Sequence, residues 1–183
     1  MSRIKRLIAS YGQYITIPWR ADAAAAQRVI FCVYHESEEL RLRAKIDEFE
    51  IVTQQAGHDW AVFDVTDMFP KWLSGQTYAQ SYFKKPHLLS PLLSKFPEYI
   101  VRSFEQFSTD HTHGDHSVVA VTGVGSLFGF MKVSEMVEKI APLVSGRLLV
   151  FFPGSYENNN YRLLDGYDGW NYLAVPITAN MEF

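Results

Sequence analysis

The sequence predicts an α/β fold, a single three-layer domain with a mostly parallel central sheet flanked by helices, and three observations carry that reading. Between positions 116 and 156 an apolar, β-branched run (118–121) enters a glycine-rich turn, an amphipathic stretch follows over 134–144, and a second apolar run (148–152) ends in Pro153-Gly154. Short continuous apolar runs bounded by turn residues suit strands buried on both faces. Two such strands joined through a helix run parallel. Further strand-like runs at 29–35 and 60–65 extend the same pattern toward the amino end. The strand, glycine turn and helix together read as Rossmann-like or as a degenerate P-loop-like unit. A chain of 183 residues has material for one substantial core, so positions 1–183 are expected to form one domain, with a helix and arm at 1–20 and the sheet-containing core at 28–177.

In chain order, positions 1–13 place Ile4, Leu7, Ile8 and Tyr11 on one helical face, with Arg3, Lys5 and Arg6 elsewhere. A few basic residues are ordinary on any helix, so packing on the domain is favoured over a basic docking arm. Pro18 interrupts the next segment, and the alanines at 23–26 favour a short turn. Cys32, in the middle of the first strand, reads as a small buried hydrophobe rather than a nucleophile. Ser37, Glu38 and Glu39 form a helix start, with Leu40, Ile46, Phe49 and Val52 as its apolar positions and Gly57 as its terminator. Asp64 and Asp67 follow the second strand. They could hold Mg²⁺, but capping the next turn suits them better. Prolines 70, 86, 91 and 97 break the region 69–97 into short pieces, and a helix over 98–107 places Ile100, Val101, Phe104 and Phe107 on one apolar face. Ser134 is expected to cap the following helix and Gly146 to close it. A final strand falls near 172–175.

Composition narrows the functional classes. Lys+Arg of 17 against Asp+Glu of 20 leaves a net charge of -3, which gives direct nucleic-acid binding no global electrostatic support. The single cysteine rules out an intrachain disulfide or a cysteine metal cluster. Nothing reads as a signal peptide or membrane span, so a reducing cytoplasmic setting and no membrane partner are expected. The run HTHGDH from His111 to His116 matches a dinuclear zinc signature by letter. It follows a helix and enters a strand, the reverse of that signature's setting, and no histidine occurs after it, so neither a metal nor any other cofactor is expected.

The glycine turn Gly123-Val124-Gly125-Ser126 invites a phosphate-binding reading, because backbone N–H groups between a strand and a helix can face an anion. It lacks the GK[ST] ending of a P-loop, and Gly129 comes one residue late for a dinucleotide fingerprint. Lys132 alone is weak support. Ser126 has no histidine after it to act as its base, and no catalytic set is assembled by spacing.

The segments PWR (18–20), AAAAQRVIFCVYH (23–35), EFE (48–50), VAVTGVGSLFGFMKVSEMVEKI (119–140) and LLVFFPGSYE (148–157) resemble the BrxB-like family of bacterial BREX phage-defence systems. The resemblance spans most of the chain. It implies a non-enzymatic accessory or adaptor protein, working through protein–protein contacts with other BREX components, a PglZ-like protein foremost, and carries over no catalytic residues. Self-association stays open. Residues expected to face a partner or ligand are Gly123, Gly125, Ser126, Leu127, Phe128, Phe130 and Lys132 in one loop and Pro153, Gly154, Tyr156, Tyr161 and Arg162 in the other. The aromatics among them, in a chain that is 15% aromatic, are the expected interface anchors. Two other readings remain, a degenerate nucleotide-binding domain or weak hydrolase, and a nucleic-acid-binding module.

Overall fold

A computed structural model describes residues 1–111, 114–166 and 169–181, and its centre is the parallel sheet that the apolar runs foretell. The strands are β1 (Val29–Tyr34), β2 (Asp59–Asp64), β3 (Ser117–Thr122), β4 (Arg147–Glu157), β5 (Asn160–Leu163) and β6 (Val175–Ile177). Their order is β2-β3-β4-β1-β6, all parallel, and β5 pairs antiparallel with the far end of β4. Every residue of β1 and β3 is buried, as strands covered on both faces require.

Alternation along the strands divides the core in two. Ile30, Cys32, Val118, Ala120, Leu149 and Phe151 face α1 (Arg3–Ile15) and α3 (Ile46–Gln55). Phe31, Val33, Val119, Val121, Val150 and Phe152 face the layer built from α4 (Met68–Ser74), α6 (Phe96–Asp110) and α7 (Val133–Ile140). These are the two outer layers of an α/β sandwich. The helix α1 packs as expected, burying Ile4, Leu7, Ile8 and Tyr11. The Tyr11 hydroxyl donates to Thr53 Oγ1 at 2.7 Å, and Thr53 donates to the Phe49 carbonyl at 2.8 Å, which ties α1 to α3 through a satisfied buried pair. Cys32 is fully buried, and burial pushes its thiol pKa up.

Several boundaries differ from the sequence reading. Ser37 does not start a single long helix. His35 Nδ1 accepts from the Ser37 N–H and caps a short 3-10 turn (Glu36–Glu38), followed by α2 (Glu39–Arg43) and, after a break, α3. Leu40 consequently points outward, 82% exposed, and Leu42 takes the buried place. Gly57 ends α3 as expected. It has φ 85°, and its N–H and that of His58 return to the carbonyls of Gln54 and Thr53 in a Schellman pattern. Ser134 is not the cap of α7; it lies inside the first turn, and Lys132 occupies the cap position without a side-chain bond. The region 69–97 is broken as expected, into α4, α5 (Ala79–Lys84) and two 3-10 turns. The last strand falls at Val175–Ile177, slightly later than read.

The largest difference concerns Pro153-Gly154, which does not end β4. Pro153 still lies opposite Tyr34 of β1, and from Gly154 the strand pairs with β5. Asn158 and Asn159 turn the hairpin with φ of 51° and 62°, the left-handed geometry that asparagine tolerates in a two-residue turn. Among the described residues, no helix is long and apolar enough to cross a membrane. His113 of the histidine run and Glu182-Phe183 of the terminal tail lie outside the described residues; the His111 ring stacks against Phe107 at 4.7 Å.

Candidate functional site

The carboxyl ends of the strands carry the two loops singled out by sequence. Gly123 follows β3 with φ 81°, and a Cβ there would lie 2.1 Å from Thr66 Oγ1 and 2.7 Å from the Thr66 nitrogen. Glycine is needed because the turn after β2 packs directly against it. That turn is held by Asp64, whose Oδ1 accepts from the Thr66 N–H at 2.9 Å and from the Thr66 hydroxyl at 2.5 Å. The turn-capping role expected of Asp64 is therefore met, whereas Asp67 precedes α4 without a side-chain cap bond.

A polar chain extends from this turn across the sheet. The Arg43 guanidinium donates to Thr66 Oγ1 at 2.9 Å and to Glu39 Oε1 at 2.7 Å, and the Tyr34 hydroxyl donates to the other Glu39 oxygen. Burial alone would raise the Asp64 pKa, but hydrogen bonds from Thr66 and Thr122 and the charge of Arg43 outweigh it and hold the carboxyl below its ordinary value. Burial, reinforced by Glu39, pushes the Tyr34 phenol up. Beside this chain is a cavity of about 200 Å³ lined by Glu36, Glu39, Arg43, Gly125, Ser126 and Pro153, with Gly123 and Leu164 completing the wall. Arg43 is its cationic lining residue and is already paired, and two carboxylates share the space. Electrostatically this is a poor seat for a phosphate.

A second cavity, about 640 Å³, opens on the α7 side of the same edge. Phe128, Phe130, Met131, Leu163 and Trp170 supply its apolar wall, with Lys132 and Asp165 as the charged groups. Phe128 is 47% exposed at the mouth. Phe130 is stacked on Phe69 at 3.6 Å, and Trp170 meets Phe31 and Phe152 edge-on at 5.7 and 5.9 Å. The walls are thus set by ring packing that continues into the core.

The expected site residues separate accordingly. Gly123, Gly125, Ser126 and Pro153 line the small polar cavity, and Phe128, Phe130 and Lys132 the large apolar one. Leu127 and Tyr161 do not face a partner: both are fully buried, and the Tyr161 hydroxyl donates to the Ala174 carbonyl at 2.8 Å. Burial likewise removes Pro153 from any exposed loop. Gly154 serves the hairpin, since a Cβ there would lie 2.0 Å from the Arg162 carbonyl oxygen. Tyr156 is half-buried against Tyr161 at 4.6 Å, and Arg162 is exposed on β5 and lines neither cavity. The sequence reading missed Asp165 and Trp170. Their one signal was a tryptophan next to a glycine in the sequence DGYDGW, beyond the expected 153–162 loop.

A family model described as "BREX protein BrxB" matches residues 67–176, more than half of the 183-residue chain. The matched segment runs from the start of α4 into β6 and includes both cavity-lining loops. No curated protein and no solved structure matches the chain.

Proposed function

Since the chain belongs to the BrxB family and is thereby a component of a bacterial BREX phage-defence system, we propose that it acts there as a non-enzymatic adaptor. Its partner is a PglZ-like protein of the same system, its setting the bacterial cytoplasm, and its docking surface the apolar cavity at the carboxyl edge. The observation that supports this reading is the 640 Å³ cleft with Phe128 standing 47% exposed at its mouth. A concave, aromatic-walled site with a few polar groups at its rim is where a protruding apolar side chain of another protein gains most on burial. Lys132 and Asp165 at the rim would fix the orientation of what enters.

The nucleotide reading draws less support. The glycine turn opens on the smaller cavity, where Glu36 and Glu39 would repel a phosphate, and Lys132 lines the other one.

Co-expression with the PglZ-like protein, followed by size-exclusion chromatography with light scattering, tests the proposal. Co-elution at a defined stoichiometry, lost in Phe128→Glu, is the expected result. Separate elution of the two wild-type proteins would remove this partner, and a thermal-shift screen with nucleotides would then decide whether the glycine turn has a ligand.

A further inference from the structure

The amino ends of the strands hold a different arrangement. Arg147 opens β4 and is only 6% exposed. Its guanidinium lies over the Trp19 ring at 4.6 Å, and its hydrogen bond is a long one, 3.4 Å to the Gly146 carbonyl. Arg28, just before β1, has its Nε buried without a hydrogen-bond partner. Among the described residues, no carboxylate lies within ion-pair distance of either arginine. Arg20, nearby, is already paired with Asp22 at 3.0 Å.

Buried charge of one sign without a counter-charge is costly. The pKa of Arg147 reflects this: burial lowers it first of all, Tyr14 works the other way, and Arg28 adds to the lowering. Arg147 also lines a cavity of about 300 Å³, whose other walls include Tyr14, Pro18, Trp19, Gln27 and Val175. The four buried side-chain polar atoms that lack a hydrogen bond among the described residues all lie near these same strand ends. They belong to Trp19, Arg28, His58 and Trp60. An anion entering the cavity would meet the desolvated Arg147 guanidinium, an amide from Gln27, the exposed Arg20 side chain already paired with Asp22, and apolar or aromatic walls around the rest.

We infer that this cavity binds an oxyanion, a phosphate or carboxylate group carried on a small planar or apolar body. The site is separate from both cavities at the carboxyl edge and does not depend on the adaptor reading. Arg147 supplies the charge, and Trp19, stacked on His58 at 3.8 Å, holds the guanidinium from one side.

Thermal unfolding of the full chain at constant ionic strength tests this, with phenyl phosphate, benzoate and uncharged benzamide as probes. A saturable rise in Tm of roughly 5 °C at a hundredfold excess over half-saturation is expected for an anionic probe and not for benzamide. Response to phenyl phosphate alone assigns a phosphate ligand, and response to benzoate alone a carboxylate; either supports the site. Arg147→Gln should abolish the response. Should that variant fail to fold, Gln27→Glu decides. Position 27 is exposed, its Oε1 acceptor for the Ala24 N–H is retained, and the new negative charge on the cavity wall would repel an anion. No saturable response in the wild type, an equal response to benzamide, or a response unchanged in Gln27→Glu overturns the inference.

Discussion

The two ends of the sheet differ in how charge is handled. At the carboxyl end Arg43 is matched by Glu39 and reaches Thr66, which in turn donates to Asp64, so the polar groups beside the glycine turn satisfy one another. At the amino end Arg147 is drawn into the protein with an aromatic ring and a carbonyl for company, and the Nε of Arg28 is buried without a hydrogen-bond partner. The difference teaches that a glycine-rich turn is not by itself a sign of an anion site. Gly123 is dictated by the approach of Thr66, and the arrangement that would welcome an anion has no glycine-rich turn.

The largest expected effects come from the close approaches that shape each end. In Gly146→Ala the new Cβ would lie 2.0 Å from the Ser117 carbonyl oxygen, a backbone atom that cannot swing aside, and in Gly123→Ala it would strike Thr66 at a positive φ. Each should lose about 3–4 kcal/mol in urea unfolding. Gly57→Ala, with φ 85° but nothing within 4 Å, isolates the backbone term and should lose only about 1 kcal/mol. Equal losses in all three would mean that close approach contributes nothing.

Trp19→Ala removes the ring that both His58 and Arg147 contact and should cost about 2 kcal/mol by the same measurement. A loss below that of Gly57→Ala would detach Trp19 from the amino-end arrangement. At the carboxyl end the test is pH. The folded-state pKa of Asp64 lies below its ordinary value. Its contribution is therefore complete above about pH 4, the unfolded value, and disappears as the pH falls through the depressed folded value. Asp64→Asn should be less stable than wild type at neutral pH, with the gap narrowing in acid; a constant gap from pH 7 to pH 2 would contradict the network. Smallest of all, Phe128→Ser should change stability by less than about 0.5 kcal/mol, because the side chain is half-exposed. A marked loss would place Phe128 in the core rather than at a docking surface.

Much of the sheet was legible because its central strands are buried on both faces. The runs at β1 and β3 are apolar at nearly every position, which no surface helix would tolerate. The continuation of β4 was hidden because proline and glycine usually mark an end. Here they mark a change of partner, from β1 at Pro153 to β5 at Gly154. The candidate residues were only half legible for a related reason. Phe128 and Leu127 are neighbours of similar hydrophobicity, and the 3-10 turn over Val124–Leu127 sends one into the core and leaves the other at a cavity mouth. Arg147 gave no signal, since an arginine before an apolar run reads as an ordinary strand boundary until the burial around it is known.

The edges of the sheet bear on how crowded such a protein can safely be. One edge, β6, is three residues long and includes Pro176, which has no N–H to offer an incoming strand. The other, β2, exposes Val62 between Asp59 and Asp64. Were two copies to join antiparallel along β2, each aspartate would face one from the other molecule, and like charges across a ladder repel. Copies brought to high local concentration therefore have a built-in guard against zipping together into extended, fibre-like stacks.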